Sequence, residues 1–270
     1  GAPFAAPSAP ADALSSKWRS VLQAGLKTAA VASSYLQHVS PLWSVSAMQR
    51  VRSVGEKSPA PYVTLACNCA HWCSYGLMGW LFTGDPNLLV LAYGNVFGSV
   101  LGAYYTAVYW MSCDSDRLMR CMKRHLLFVA ALVAIESLAA GVAPAAWALR
   151  ILGSICTALS VAVSVSPLLT AGTVVRMQSV ESMPVPLTFA SLLTAVLWSL
   201  CGILLSDSFL IATNVVNACA SSLSLALIAR FHPQTRWIWE RRGAASRGGL
   251  DGSKPEEDFL RAPLGTPLLP

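Results

Sequence analysis

Charged side chains are scarce in this chain of 270 residues. Asp, Glu, Lys and Arg together make up 12% of it, where a soluble domain carries about a quarter. Hydrophobic residues make up 54%. Lipid cannot solvate charge, so a segment that crosses a bilayer must be nearly free of it. The scarcity of charge therefore argues against a soluble protein and predicts a membrane protein.

Motifs of soluble catalysis are also missing. The sequence has no nucleophile elbow, zinc-protease helix, phosphate loop or dinucleotide fingerprint. The net charge is +6, but the Lys and Arg residues are not interleaved with aromatic residues, as they are on a nucleic-acid-binding face. On a helix Cys67 and His71 share one face, whereas Cys69 and Cys73 share another, so one metal ion cannot take all four. We predict a non-enzyme with no catalytic residue, metal, cofactor or nucleic-acid partner.

Apolar runs of about 20 residues are what the sequence has instead. In lipid every backbone polar group must be paired within its segment, so these runs are predicted to be helices. The strands of a membrane barrel would be shorter and would alternate apolar with polar residues. Seven spans are predicted: Val21–Ala47, Tyr62–Phe82, Leu88–Met111, Leu126–Ala143, Ala146–Val175, Val185–Leu205 and Phe209–Phe231.

Positive charge alternates between the links that join these spans. Lys and Arg gather after the first, third and fifth spans and in the C-terminal tail, whereas the other three links are nearly bare of them. The positive-inside rule then puts the N-terminus outside and the C-terminus in the cytoplasm. Lys17, Arg19 and Lys27 oppose this orientation but do not outweigh the alternation. Residues 1–20 and the polar tail at 232–270 are predicted to be disordered.

The two halves of the chain repeat at a shift of 126 residues. Three matches are Ser40-Pro41-Leu42 with Ser166-Pro167-Leu168, Trp72 with Trp198, and Gly76 with Gly202. Each unit holds three spans, at residues 21–111 and 146–231, and residues 112–145 supply a cytoplasmic loop and a linker helix. A single connecting helix leaves the two units parallel, an arrangement in which transporters bind substrate at the unit interface. The predicted fold is an all-α membrane protein with seven transmembrane helices arranged 3+1+3.

The repeated residues carry a family resemblance. The stretch from Pro61 to Leu77, through Asn68 and Trp72, resembles the second helix of SWEET sugar transporters, and Ser179–Trp198 resembles the sixth. The resemblance covers about residues 31–231. It implies the same 3+1+3 bundle and the energy-independent diffusion of mono- or disaccharides across a membrane.

Aromatic and amide side chains form the candidate substrate site. Sugars present C–H faces that pack on rings and hydroxyls that need amide partners. The paired Asn95 and Asn214, which lie in apolar runs, and the paired Trp72 and Trp198 also match the family's sugar contacts. The alternatives are that the Asn join helices and that the Trp face lipid. The resemblance adds four expected lining residues: Asn68 and Thr194, each four before its Trp, and Gln37 and Val163, each four before a repeated Pro.

Four prolines resemble the family's proline tetrad and are predicted to act as hinges: Pro41, Pro61, Pro167 and Pro184. A proline inside a helix removes a hydrogen bond and permits a kink. The alternatives are a static kink or, for Pro61 and Pro184, a helix start. The chain departs from the family at His71, where an apolar residue is usual, and at Asn217, where Gly is frequent.

We therefore predict a passive, bidirectional sugar uniporter that works by alternating access, with a hexose such as glucose as its substrate. The alternatives are a related carrier for an amino or organic acid, which would need a cation near the site, and a seven-helix receptor, which would need no repeat. The expected partners are the sugar and the lipid bilayer, and a homo-oligomer is left open. The plasma membrane is expected rather than an internal membrane.

Overall fold

The computed structural model describes residues 9–165, 171–177, 180 and 185–231, without the side chains of 9–17, 171, 173 and 177. This part of the chain is helical and contains no strand. Its helices are α1 Ala9–Val39, α2 Leu42–Val51, α3 Ala60–Thr83, α4 Leu89–Ser112, α5 Asp116–Val142, α6 Ala145–Val165, α7 Ala171–Met177, α8 Val185–Leu205 and α9 Ser208–Phe231. A 3-10 turn at Pro86–Leu88 precedes α4.

The two repeat units have equivalent packing. In the first unit α4 packs against α1, α2 and α3, and in the second α9 packs against α6, α7 and α8. Between the units α1 packs on α8, and α6 packs on α3. Because α6 and α8 are the repeats of α1 and α3, these two contacts are copies of one another. The linker helix α5 contacts α3 and α6.

Glycine allows a close helix contact at the same place in each unit. A Cβ added to Gly76 would lie 2.8 Å from the backbone N of Ala92, and one added to Gly202 would lie 3.0 Å from that of Ile211. Gly76 and Ala92 are 16 residues apart in the sequence, whereas Gly202 and Ile211 are 9 residues apart. The link between the second and third spans is thus seven residues longer in the first unit, which also accounts for the different spacing of Asn95 and Asn214 from their Trp.

Five described helices are long and apolar enough to cross a membrane: α4 with its preceding turn, α5, α6, α8 and α9. The other two predicted spans correspond to α1 and α3, with 31 and 24 residues. Both carry polar residues that the protein interior buries, among them Ser34, His38 and His71. Their polar groups face neighbouring helices, so low hydropathy does not conflict with a position in the bundle.

Several predicted boundaries need correction. The first span is not one helix, because α1 ends at Val39 and α2 begins at Leu42 after a turn at Ser40 and Pro41. Of the fifth span the structure describes α6 to Val165 and α7 from Ala171, and residues 166–170 lie outside the described residues. Residues 9–20, predicted to be disordered, belong to α1, where Ala and Leu favour helix.

The linker helix also begins ten residues earlier than the predicted span. α5 begins at Asp116 rather than Leu126, because the Ser115 side chain accepts a hydrogen bond from the backbone of Leu118 and caps it. Asp116 in the first turn favours the same start through the helix dipole. The basic residues after the third span therefore lie on a helix and not in a loop.

Candidate functional site

Trp72 joins the first unit to the second through a hydrogen bond. It lies on α3 with 5% of its surface exposed, and its Nε1 donates to Ser160 Oγ on α6 at 2.9 Å. The Ser160 hydroxyl donates in turn to Asn68 Oδ1 at 2.7 Å. Asn68 is one helical turn before Trp72, so both predicted residues of α3 meet the same serine of the other unit.

Trp198 makes the matching bond in the opposite direction. It lies on α8, equally buried, and its Nε1 donates to Ser34 Oγ on α1 at 2.7 Å. Ser34 and Ser160 are separated by the 126 residues of the repeat. Each unit therefore donates one indole N–H to a serine of the other unit and accepts one at its own serine. Thr194, the counterpart of Asn68, is buried, and its Oγ1 has no hydrogen-bond partner among the described residues.

The paired asparagines bond within their own helices. Asn95 Nδ2 donates to Leu91 O at 2.8 Å, and Asn214 Nδ2 donates to Leu210 O at 2.9 Å. These are equivalent bonds four residues back along α4 and α9. No hydrogen bond in the described part of the chain joins either amide to another helix. The contacts thus give no support to the alternative in which these amides hold helices together.

Leu91 and Leu210, whose carbonyls receive those bonds, lie in one buried cluster with Trp72 and Trp198. The cluster also contains Ala30 of α1 and Cys156 of α6, so it extends across the interface of the two units. The structure thus brings the paired Trp, and the helix turns that bear the paired Asn, to the same interface.

Gln37 and Val163 are outside this hydrogen-bonded set. They lie three residues after Ser34 and Ser160, where Gln37 is half-buried and Val163 is 42% exposed. No side-chain hydrogen bond of Gln37 is present among the described contacts. Their place in the site remains a prediction.

The prolines occupy different positions. Pro41 is half-buried in the turn between α1 and α2. Pro61 is exposed in the first turn of α3, which matches the alternative reading as a helix start. Pro167 and Pro184 lie outside the described residues.

A second polar contact crosses the unit interface at the end of the bundle that lacks basic links. Tyr75 Oη on α3 donates to Asp207 Oδ2 at 2.8 Å, and both residues are buried. The other oxygen of Asp207 accepts from the backbone N of Leu210 at 3.0 Å and so caps α9. A fixed carboxylate thus holds the tyrosine, and the units are joined at this end.

Sequence reasoning missed Ser34 and Ser160. A serine in an apolar run looks like a small packing residue. The signal that could have found them is the repeat itself, since both stand at the same place in their units, three residues before Gln37 and Val163.

The cysteine and histidine cluster forms separate contacts. Cys67 Sγ lies 3.5 Å from His71 Nδ1, whereas Cys69 Sγ lies 3.4 Å from His38 Nε2 on α1. Within the described ranges, no group of three His, Cys, Asp or Glu side chains is arranged to hold a metal ion. The arrangement is therefore one of buried polar pairs.

A sequence profile of the family described as "Sugar efflux transporter for intercellular exchange" matches residues 25–117 and 150–236. The two matched segments contain one repeat unit each and omit most of the linker helix. They include both Trp, both Asn and both Ser of the site.

Individual proteins are similar over most of the chain. Sugar transporter SWEET1 of Drosophila pseudoobscura pseudoobscura is 27% identical over 212 residues, 78% of this chain and 90% of that protein. Bidirectional sugar transporter SWEET15 of Oryza sativa subsp. indica is 28% identical over 83% of this chain and 68% of its own length. A solved structure of a eukaryotic SWEET transporter, 24% identical, matches with a TM-score of 0.68 over 78% of this chain and 98% of its own. That match confirms the predicted fold.

Proposed function

This chain belongs to the SWEET family of sugar transporters, and from that premise we propose that it carries a hexose such as glucose passively and in both directions. The sugar binds at the interface of the two repeat units. The observation that carries the proposal is the exchanged pair of hydrogen bonds, Trp72 to Ser160 and Trp198 to Ser34. A site that both units build in the same way changes shape when the units move relative to one another.

Binding uses the residues that repeat. The Trp rings supply apolar faces for the C–H surface of a sugar. Asn95 and Asn214 each have a second amide N–H and an acceptor oxygen beyond the bond to their own helix. Sugar hydroxyls supply partners for these groups, so the site favours hydroxylated substrates. Asn68, Thr194, Gln37 and Val163 complete the proposed lining.

The proposed preference for a hexose over a disaccharide rests on the size of the side chains that line the site. Asn68 extends from α3 far enough to accept a hydrogen bond from Ser160 of α6. A smaller residue such as Ser or Ala would leave more room between these helices. Gln37 adds a second long side chain in the first unit. These side chains narrow the space available to a second sugar ring.

The substrate is proposed to be uncharged. A carrier for an amino or organic acid would be expected to present a cation to the carboxylate. Lys27, on the same helix as Ser34, is engaged elsewhere, because its Nζ donates to Asn87 Oδ1 at 2.6 Å in the link between the second and third spans. The proposed site itself consists of amides, hydroxyls, apolar groups and aromatic rings.

Alternating access requires one end of the interface to close while the other opens. We assign the end with Tyr75 and Asp207 to the outside, because its links are nearly bare of Lys and Arg. The hydrogen bond between these residues, at 2.8 Å, joins the units there. This conformation is therefore proposed to be closed toward the outside, with the tail in the cytoplasm and the protein in the plasma membrane.

The test is uptake of radiolabelled glucose and of radiolabelled sucrose into liposomes that contain the purified protein. The proposal predicts saturable glucose uptake that exceeds sucrose uptake, with none above background in protein-free liposomes. Sucrose uptake as fast as that of glucose would refute the hexose preference alone. Uptake of neither sugar, with uptake of a labelled amino or organic acid, would refute the sugar site.

A further inference from the structure

A groove of about 440 Å³ lies between α3, α4 and α5, away from the proposed sugar site. Small side chains form it: Ala66 and Ala70 of α3, and Ala103 and Ala107 of α4. Its remaining walls are mostly apolar. A groove with this lining on a membrane-spanning bundle is accessible to lipid chains rather than to polar solutes.

The linker helix leaves this groove open because it packs loosely. Only 11% of the most apolar window of α5 is buried, against 28–39% in the other four helices that can span a membrane. One face of α5 lines the groove, from Met122 through Leu126 and Val129 to Val133. These residues follow one another at intervals of three or four, as expected for one helical stripe.

The length of the stripe matches one leaflet. Eleven residues separate Met122 from Val133, which is about 16 Å along a helix. Half of the hydrocarbon thickness of a bilayer is about 15 Å. The groove therefore has the length of one acyl chain that begins at the basic end of the bundle and ends near the midplane.

A cation lies at the end of the groove nearest the basic links. Trp110 lines that end, and Lys123 Nζ lies 5.9 Å from the centroid of its ring. Three more exposed cations, Arg117, Arg120 and Arg124, lie on the opposite face of α5 and add to the positive charge at this end of the bundle. No salt bridge of the described residues neutralises any of the four. The nearby carboxylates in sequence are Asp116 and Asp114, and Asp114 accepts a hydrogen bond from Ser53 at 2.8 Å.

We propose that this groove binds one anionic phospholipid, with an acyl chain along α5 and the headgroup phosphate against Lys123. The apolar groove fits the chain, and Lys123 fits the phosphate. A zwitterionic lipid offers less attraction, because its own ammonium group balances the phosphate charge. In the orientation proposed above, this end faces the cytoplasmic leaflet, where anionic lipids are concentrated. Binding here does not depend on which substrate the protein carries.

Native mass spectrometry of the protein released from nanodiscs tests the proposal. The nanodiscs contain equal amounts of phosphatidylglycerol and phosphatidylcholine with the same acyl chains. The unmodified protein is expected to retain one phosphatidylglycerol in preference to phosphatidylcholine. Lys123→Gln should lower that preference about fivefold, the equivalent of about 1 kcal/mol for one cation near the headgroups.

Two variants separate the groove from the charge. Ala103→Phe should abolish retention of both lipids by filling the groove, and because Ala103 is exposed the larger ring does not displace a packed helix. Ala130→Phe adds the same ring to an exposed position of α5 that does not line the groove, and should retain lipid normally. Circular dichroism of each variant establishes that the helices are intact.

Arg50→Gln is the matched charge control. Arg50 lies over Trp43 at 5.9 Å, the same geometry as Lys123 over Trp110, but on α2 and away from the groove. It should leave the lipid preference unchanged. The proposal is wrong if Arg50→Gln and Lys123→Gln reduce the preference equally, if Ala103→Phe retains lipid as the unmodified protein does, or if the unmodified protein retains both lipids alike.

Discussion

Ser160 makes two hydrogen bonds across the interface between the two units. Its hydroxyl accepts from Trp72 and donates to Asn68, whereas that of Ser34 accepts from Trp198 and donates to its own helix at Ala30. Removing the first hydroxyl leaves two groups of another helix unpaired, and removing the second leaves one.

We therefore expect Ser160→Ala to lower the free energy of unfolding by about 1 kcal/mol more than Ser34→Ala. Unfolding of the two variants in mixed detergent micelles, followed by circular dichroism, measures the difference. Equal losses in both variants would contradict the unequal bonding of the two serines.

Asn95 and Asn214 differ from the serines because neither amide has a hydrogen bond to another helix within the described ranges. Each Nδ2 donates to a carbonyl of its own helix, so replacement by Ala should change stability by less than about 1 kcal/mol. The amide is proposed to bind the sugar, and we therefore expect Asn214→Ala to lower the initial rate of glucose uptake more than about tenfold. A tenfold decrease corresponds to a loss of about 1.4 kcal/mol of binding free energy.

Ser224→Ala is the control for that substitution. Ser224 is buried on the same helix and donates to Ala220 O, also four residues back. It should lose a bond of the same kind without loss of uptake. Normal glucose transport by both Asn95→Ala and Asn214→Ala would remove these residues from the site.

At the scale of helices, the glycine contacts determine how closely the second and third spans of each unit approach. A Cβ at Gly76 would lie 2.8 Å from Ala92 N and 2.9 Å from Leu88 O, and these backbone atoms cannot move independently of α4. We expect Gly76→Ala to lower the free energy of unfolding by about 2 kcal/mol or more.

Gly141→Ala provides the comparison within a helix. Gly141 lies near the end of α5 with nothing within 4 Å of an added Cβ. Alanine there should be neutral or stabilising by up to about 1 kcal/mol, through helix propensity alone. Thermal unfolding of both variants in one detergent measures the contrast, and a Gly76→Ala variant as stable as Gly141→Ala would refute the close packing.

The linker helix meets the first unit through a buried polar pair. His71 Nε2 of α3 lies 3.7 Å from Glu136 Oε1 of α5, and neither atom has a hydrogen bond among the described residues. His71 Nδ1 donates to Cys67 O at 2.7 Å. This separation is longer than a hydrogen bond, so the two side chains are in polar contact without one. The pair thus has a structural explanation as a contact between α3 and α5, apart from the proposed sugar site.

At the scale of the whole molecule, the alternation of basic links predicts that the tail is cytoplasmic. An epitope placed after Leu260 should be labelled by antibody only after permeabilisation of cells. An epitope inserted after Asp85, in a link nearly bare of positive charge, should be labelled on intact cells. Surface biotinylation first establishes that the protein is at the plasma membrane. Labelling of the tail epitope on intact cells would reverse the orientation.

The architecture was predictable because lipid imposes helices and the repeat fixes their grouping. The sixth predicted span, Val185–Leu205, ends at the same residue as α8. Hydropathy could not find the break at Ser40 and Pro41, since a turn of two residues hardly changes the average over a window. It also missed the first ten residues of α5, where a serine cap and charged side chains extend the helix out of the apolar run.

The site was only partly predictable for a related reason. Trp and Asn stand out in an apolar run because their polar groups need partners there, and their repetition marked the interface. Ser34 and Ser160 do not stand out, and their roles depend on which helices of different units touch. That pairing of α1 with α8 and α6 with α3 is a tertiary contact, visible once the helices are placed.

Passive sugar transport by alternating access is the central claim, and tracer counterflow tests it most directly. Liposomes containing the protein are preloaded with unlabelled glucose and diluted into labelled glucose, with and without an imposed pH gradient. We predict transient accumulation of label that requires the preload, is unaffected by the gradient and persists in Glu136→Gln, whose amide has nearly the same shape as the carboxyl group. Accumulation of label in liposomes without preload, driven by the pH gradient and abolished by Glu136→Gln, would contradict it.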